Sequence, residues 1–106
     1  MREMTTPEIQ EALDLRQDGV ARVWGYQCSH SWFELRITSP SLAGNFHIKC
    51  GGCTRCTFDI QIARPKIQIQ PAPEGAGHGW IVQDGDRLQI HCDIIIGNYN
   101  VQPVFQ

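Results

Sequence analysis

Hydrophobic and polar residues alternate along most of the chain beyond residue 20. In the segment SWFELRITS, Phe33, Leu35 and Ile37 fall on one side of an extended chain, and the residues between them are polar. Alternation with a period of two is typical of β-strands that bury one face. The segments with this pattern are VARVWGYQC, SWFELRITS, FHIKC, TFDIQIA, KIQIQ, GWIVQ and RLQIHCDIII. The pattern predicts a mostly β fold, a small antiparallel sandwich or barrel of about seven strands.

Turn-forming residues separate these segments. DGD, between GWIVQ and RLQIHC, favours a tight hairpin, and we expect SPSLAGN and PAPEGAGHG to be loops. GNYNVQPVF near the end of the chain predicts one further strand. Its proline places that strand at a sheet edge, because proline lacks the amide hydrogen that a central strand donates.

The N-terminal segment has the spacing of a helix instead. Its apolar residues recur on one narrow stripe, at Ile9, Ala12 and Leu13. Thr6 is the expected N-cap and Pro7 the first helical residue, where the missing amide hydrogen costs nothing. Gly19 is expected to end the helix in a left-handed conformation.

Length and composition fit one globular domain. The chain has 106 residues, of which 42% are hydrophobic and 19% charged, and these values exclude a disordered chain. We therefore expect a single domain over residues 1–106, with a helix at residues 7–19 and a β domain at residues 20–106. The formal net charge of −2 gives no general reason to expect a nucleic acid or an anionic membrane as the partner.

The cysteines and the N-terminal sequence both suggest a reducing compartment. No segment reaches the roughly 18 apolar residues of a membrane span, and MREMTTPEIQ lacks the apolar core of a signal peptide. The expected location is the cytoplasm, where thiols stay reduced. Five cysteines cannot all pair within one chain, which favours bound metal or buried free thiols.

The stretch FHIKCGGCTRCTFDI places three cysteines at three-residue spacing between two alternating segments. If its glycines formed a two-residue hairpin, the apolar residues before the turn would face the opposite side from those after it. These residues are Phe46 and Ile48 before the turn, and Phe58, Ile60 and Ile62 after it. An irregular backbone at Gly51 and Gly52 is therefore predicted, whether as a bulge, a longer loop or a metal-binding turn.

Several cysteines also continue the apolar side of a predicted strand. One such side carries Trp24, Tyr26 and Cys28, another carries Phe46, Ile48 and Cys50, and a third carries Leu88, Ile90, Cys92, Ile94 and Ile96. A cysteine in this position is either a small buried hydrophobic residue or a metal ligand. The sequence leaves both interpretations open.

The motifs CSH and CGGC have the short spacing of metal-binding turns. Together with the strands around them, residues 24–62 resemble a zinc ribbon, in which two such turns on β-hairpins hold one zinc ion. The resemblance implies a zinc site with four ligands, Cys28, His30, Cys50 and Cys53. The first turn departs from the family pattern, because Ser31 stands where its second cysteine is expected. The alternative ligands are Cys56, Cys92 and His91.

No combination of residues predicts an enzyme. Cys92 has His91 as its neighbour, but successive residues of a strand point to opposite faces, so the two do not form a catalytic pair. No phosphate-binding glycine motif and no catalytic-triad spacing occurs.

The sequence therefore favours a non-enzymatic small β module for binding or assembly, stabilised by a structural zinc ion. One alternative is a zinc-ribbon-like nucleic-acid-binding protein, in which basic residues near the cysteines contact phosphates. These basic residues are Lys49, Arg55, Arg64 and Lys66. Another alternative is a metal-free protein-interaction domain that uses a free edge strand or an aromatic patch. The partner and the oligomeric state do not follow from the sequence.

Overall fold

The computed structural model describes residues 3–27, 31–77 and 79–99. Within these ranges the chain forms one helix and nine strands. In chain order they are α1 (Thr6–Asp14), β1 (Val20–Gln27), β2 (Trp32–Ser39), β3 (Leu42–Gly51), β4 (Arg55–Phe58), β5 (Gln61–Ala63), β6 (Gln68–Pro71), β7 (Trp80–Asp84), β8 (Leu88–Cys92) and β9 (Ile94–Tyr99).

The strands form two antiparallel sheets that share one hydrophobic core. Sheet A has the order β5-β1-β2-β3-β9, and sheet B has the order β4-β8-β7-β6. Strands make up 57% of the described residues, and over the same ranges the sheets do not close into a barrel. The predicted mostly β fold with one short helix is confirmed, in the form of a sandwich.

More strands are present than predicted because two alternating segments are each divided. TFDIQIA contributes to both β4 and β5, and RLQIHCDIII is split between β8 and β9. β3 also begins at Leu42, so much of SPSLAGN is strand and not loop. The DGD hairpin is confirmed: β7 and β8 pair antiparallel, and Gly85 has a φ of 50°.

Helix α1 begins one residue earlier than expected and ends earlier too. Thr5, not Thr6, is the N-cap, and it forms a capping box with Glu8. The last α-helical residue is Asp14, so the prediction of a helix up to Gly19 was wrong. The amides of Arg16 and Gly19 bond carbonyls three residues back, and these tighter turns lead into β1.

The helix covers the sandwich with the apolar stripe that the sequence predicts. Ile9, Ala12 and Leu13 are buried. Gln10 fixes the helix to β6, because its side-chain nitrogen donates to the Ile67 carbonyl at 2.9 Å and its side-chain oxygen accepts from the Ile69 amide at 2.7 Å. In the described ranges no helix combines the length and hydrophobicity that would span a membrane.

Alternate residues of the strands fill the core. Phe33, Leu35 and Ile37 of β2 are at most 1% exposed, as the alternation predicts. The facing residues from the other strands are Ala21, Phe46, Ile48, Cys50, Ile62, Val82, Leu88, Ile90 and Cys92. Cys50 and Cys92 therefore lie on the inner faces of sheets A and B respectively.

The alternating side of RLQIHCDIII does not stay buried to its end. Ile94 and Ile96 were expected beside Leu88 and Ile90, but they are 56% and 37% exposed. At Asp93 the chain leaves sheet B for sheet A, and the inward positions shift by one residue to Ile95 and Gly97. The prediction was wrong because it treated the segment as one continuous strand. The alternation of apolar residues does not show where a chain leaves one sheet for another.

A bulge in β1 separates two aromatic residues that were expected on one face. The register with β2 shifts between Val23 and Gly25. Trp24 lies under the Arg36 guanidinium, 3.9 Å from the ring centroid, whereas the Tyr26 ring packs 5.4 Å from Phe58. The prediction for Cys28, which was to share this face, falls outside the described residues.

The outer face of sheet A buries a histidine between charged neighbours. His47 is 4% exposed, and its Nε2 lies 3.3 Å from Glu34 Oε1. Burial lowers the pKa of His47 below its usual 6.5; the Glu34 carboxylate acts in the opposite direction, and Arg36 and Lys49 lower it further. The folded protein therefore takes up this proton less readily than the unfolded chain.

We expect the free energy of unfolding to fall as the pH drops below about 6.5, since the unfolded chain then binds a proton that folded His47 does not. The slope for one proton is at most about 1.4 kcal/mol per pH unit. Urea unfolding across this pH range should give a flatter profile for His47→Gln. Glu34→Gln should extend the loss to lower pH, because the carboxylate that favours protonation is gone. If the pH profile of His47→Gln matched that of the wild type, the loss of stability would not come from His47.

Candidate metal centre

The chain crosses between the two sheets twice at one place. It passes from β3 to β4 through residues 52–54, and from β8 to β9 through Asp93. The Asp93 amide donates to the Gly51 carbonyl at 3.0 Å, and the Thr54 amide donates to the His91 carbonyl at 2.9 Å. We call residues 51–54 together with Asp93 the crossover corner.

The crossover corner explains the register conflict in FHIKCGGCTRCTFDI. β3 and β4 do not pair with each other, because β3 belongs to sheet A and β4 to sheet B. Inward residues on both strands can thus face one core without a shared hairpin register. The irregular backbone predicted at the glycines is present, with a φ of 64° at Gly52. A Cβ there would also lie 2.9 Å from the Asp93 carboxylate, so the position suits glycine alone.

One pair of thiols is sealed in the core at this corner. Cys50 comes from β3 and Cys92 from the end of β8, and both are at most 1% exposed. Their thiols are hydrogen-bonded, which, together with burial, raises the pKa of Cys50 well above its usual value. The same hydrogen bond lowers the pKa of Cys92. Of the two thiols, Cys50 is therefore the harder to deprotonate.

A second pair of thiols lies closer to the surface. The Cys53 thiol lies 3.5 Å from the Cys50 carbonyl oxygen, to which it donates, and it is also hydrogen-bonded to Cys56 of β4. Burial, followed by the proximity of Cys56, raises the pKa of Cys53 to about 12. Both residues border a shallow cavity of about 160 Å³, whose other lining residues are Tyr26, Ser31, Thr54 and Arg55.

The two pairs are close enough to act on each other. Negative charge on Cys53 or Cys56 raises the pKa of Cys50, and charge on Cys92 raises the pKa of Cys53. None of these four cysteines forms a disulfide bond. As the side chains stand, the described part of the chain contains no group of three or more cysteine, histidine or acidic residues that could hold a metal ion. The four thiols thus form two adjacent pairs and not a tetrahedral set of ligands.

The other predicted ligands have different positions. Cys28 and His30 lie outside the described residues; Ser31, which follows them, accepts the Cys53 amide hydrogen bond at 2.8 Å. His91 sits between the inward residues Ile90 and Cys92 of β8, so alternation places it on the outer side of sheet B. Of the three alternative ligands, Cys56 and Cys92 thus lie beside the cysteines of the CGGC motif.

Sequence reasoning missed Asp93 as part of this corner. Its carboxylate accepts a hydrogen bond from the Gly79 amide at 3.2 Å and raises the pKa values of Cys53 and Cys92. The available signal was a polar residue interrupting the apolar run around Cys92 and Ile94, which is unusual inside a strand.

The basic residues proposed for nucleic-acid contact lie on separate parts of the sandwich. Lys49 is on the outer face of sheet A, with its ammonium 5.3 Å from the Trp32 ring centroid. Arg55 begins β4 of sheet B, opposite His91. Arg64 and Lys66 lie between β5 and β6, where the Lys66 amide donates to Asp84. These positions do not single out one basic surface.

Cysteines from both sheets lie at one corner of the core. Thiolates are among the preferred protein ligands of zinc. Comparison of the chain with protein-family models, with curated proteins and with solved structures finds no match. Any function assigned to this chain therefore rests on its own residues.

Proposed function

We propose that this chain is a non-enzymatic module for binding and assembly, whose two sheets are joined at the crossover corner by one structural zinc ion. The ligands in this proposal are Cys50, Cys53, Cys56 and Cys92. The supporting observation is that thiols from both sheets meet where the chain crosses twice between them. This ligand set replaces the Cys28 and His30 of the zinc-ribbon resemblance with Cys56 and Cys92.

Four cysteines in two neighbouring pairs are the reason for proposing a metal ion instead of isolated core residues. The hydrogen bond with Cys92, followed by burial, raises the pKa of Cys50, and burial, followed by the charge of Cys56, raises the pKa of Cys53. Without a counter-ion these two groups therefore stay protonated at neutral pH. A bound zinc ion would supply two positive charges and displace the thiol protons. Four thiolates are a common ligand set of structural zinc.

Binding would require the two thiol pairs to move together. Cys53 lies between β3 and β4, outside both strands, so its side chain can turn without breaking a strand pairing. The cavity beside Cys53 and Cys56 gives an ion a path from solvent. Because all four positions around the ion would be taken by protein, none would remain for a substrate. The proposed zinc ion is therefore structural, and the proposed module is non-enzymatic. Its thiol ligands suit a reducing compartment such as the cytoplasm.

Protein purified with reduced thiols and without chelator should contain about one zinc per folded chain when measured by mass spectrometry of the metal. Serine at any one of Cys50, Cys53, Cys56 or Cys92 should remove most of this zinc, because an alcohol is a far weaker zinc ligand than a thiolate. Substitution with Co²⁺ should produce the absorption bands of a tetrahedral thiolate site.

The matched controls are Cys28→Ser and His30→Ala, which should keep the full zinc content. If these two variants lose zinc while Cys56→Ser retains it, the ligand set is that of the zinc-ribbon resemblance, and the proposed one is wrong. Wild-type protein with far less than one zinc per chain would show that the thiols are small core residues only.

A further inference from the structure

The two thiol pairs at the crossover corner differ in their access to solvent. Cys50 and Cys92, which we call the inner pair, are at most 1% exposed. Cys53 and Cys56, the outer pair, are half-buried, and both line the cavity of about 160 Å³. A small molecule dissolved in water can therefore reach the outer pair, whereas it reaches the inner pair only if the core opens.

The outer thiols are already neighbours in the folded chain. The Cys53 thiol is hydrogen-bonded to Cys56, three residues further along the chain. A disulfide requires the two sulfurs to come closer than a hydrogen bond does. Cys53 lies outside β3 and β4, and its other contact is the long hydrogen bond of 3.5 Å to the Cys50 carbonyl oxygen. Its side chain can therefore approach Cys56 without breaking a strand pairing.

We infer that the outer pair is a reversible redox site, at which Cys53 and Cys56 form a disulfide by exchange with a low-molecular-weight disulfide such as oxidised glutathione. This bond depends only on the positions of the two thiols. Its consequence rests on the proposed function, because the disulfide removes two of the four proposed ligands. Oxidation of the outer pair would therefore release the zinc ion that joins the two sheets.

The reaction is thiol–disulfide exchange and proceeds in two steps. The thiolate of one outer cysteine attacks a sulfur of oxidised glutathione, which forms a mixed disulfide and releases one glutathione as a thiolate. The thiolate of the other outer cysteine then attacks the protein sulfur of the mixed disulfide, and the second glutathione leaves. The chain has lost two protons and two electrons, and the two glutathione molecules have gained them.

The inference concerns the extent of oxidation at equilibrium and not its speed. Burial, followed by the proximity of Cys56, raises the pKa of Cys53 to about 12, so the reactive thiolate is scarce at neutral pH and exchange is slow. The equilibrium depends instead on how well the fold holds the two thiols together. For this reason the test compares samples that have reached equilibrium.

The full-length chain, kept metal-free with a chelator, should be equilibrated in glutathione buffers of increasing oxidised content. Alkylation of the remaining thiols and mass spectrometry of peptides should then show a disulfide between Cys53 and Cys56, with Cys50 and Cys92 still reduced. The buffer that oxidises half of the chains should be at least about tenfold less oxidising for the folded chain than for the chain in urea, because folding holds the two thiols together.

Serine variants separate this pair from the other cysteines. Cys56→Ser should form no disulfide within the chain and should carry glutathione on Cys53 instead. Cys28→Ser and Cys92→Ser are the matched controls and should form the same disulfide as the wild type at the same buffer composition. In zinc-loaded wild type, one zinc ion should be released for each disulfide formed, and a reductant should restore binding.

The inference is overturned if the outer pair stays reduced in the folded chain, or if either outer cysteine pairs with Cys28 or Cys92 instead. Equal oxidation of the folded and unfolded chains would also overturn it. Oxidised chains that keep their zinc would contradict the proposed release. Because the disulfide is mapped in metal-free protein and the zinc content is measured in reduced protein, the two proposals can fail separately.

Discussion

Alanine at Gly19 should destabilise the fold by about 3 kcal/mol or more, the largest effect we expect from any single methyl group. A Cβ at this position would overlap the carbonyl oxygen of Thr38 and lie 3.0 Å from the Ser39 Cα. These atoms belong to the backbone of β2, so no side chain can rotate away. Gly19 also accepts the Arg64 amide at 2.9 Å, which fixes its distance from the neighbouring strands.

Thermal and urea unfolding measure this effect. A loss of this size should lower the melting temperature by more than about 12 °C for a domain of about 100 residues. Gly79→Ala is the matched control, because the nearest atom to its added Cβ is the Asp93 carbonyl oxygen at 3.5 Å, an ordinary contact. Similar stabilities of the two variants would contradict the close approach of Gly19 to β2.

The second large effect is the dependence of stability on free zinc. If the ion binds the folded chain only, each tenfold rise in buffered free zinc above the dissociation constant should add about 1.4 kcal/mol to the free energy of unfolding. Cys92→Ser should abolish this dependence, because Cys92 is the one proposed ligand that comes from β8. Urea unfolding at several fixed zinc concentrations gives the slope directly.

Cys28→Ser serves as the control and should keep the wild-type slope. A comparison at one zinc concentration would not be enough, since loss of a buried thiol also lowers stability through packing. The packing loss is independent of zinc, whereas the metal contribution is not. A flat zinc response in the wild type would therefore rule out a zinc ion that joins the sheets.

The thiol site could be predicted from the sequence only in part. CGGC and the conflict between its flanking apolar faces indicated an irregular, cysteine-rich turn, which is a local property of FHIKCGGCTRCTFDI. Cys92 could be named only as one of several substitute ligands. Its approach to Cys50 depends on two sheets packing face to face, and such contacts between distant residues leave no trace in local spacing.

The position of β9 at a sheet edge could not be predicted either. Counting every second residue placed Ile94 and Ile96 on a buried side, because the sequence pattern does not show the one-residue shift that occurs where the chain leaves sheet B for sheet A. Likewise, the bulge between Val23 and Gly25 places Trp24 and Tyr26 on different faces of the sheet, and the sequence pattern does not indicate this bulge.

By itself the sequence determined which residues alternate, where the helix carries its apolar stripe, and that the fold is built mainly of β-strands. These properties follow from side-chain periodicity, which acts over a few residues. Only the tertiary structure decided which sheet each strand joins, and hence that thiols from both sheets meet at one corner and that β9 lies at an edge. Sheet membership depends on the combined burial and hydrogen bonding of residues far apart in the chain, and local periodicity contains no information about it.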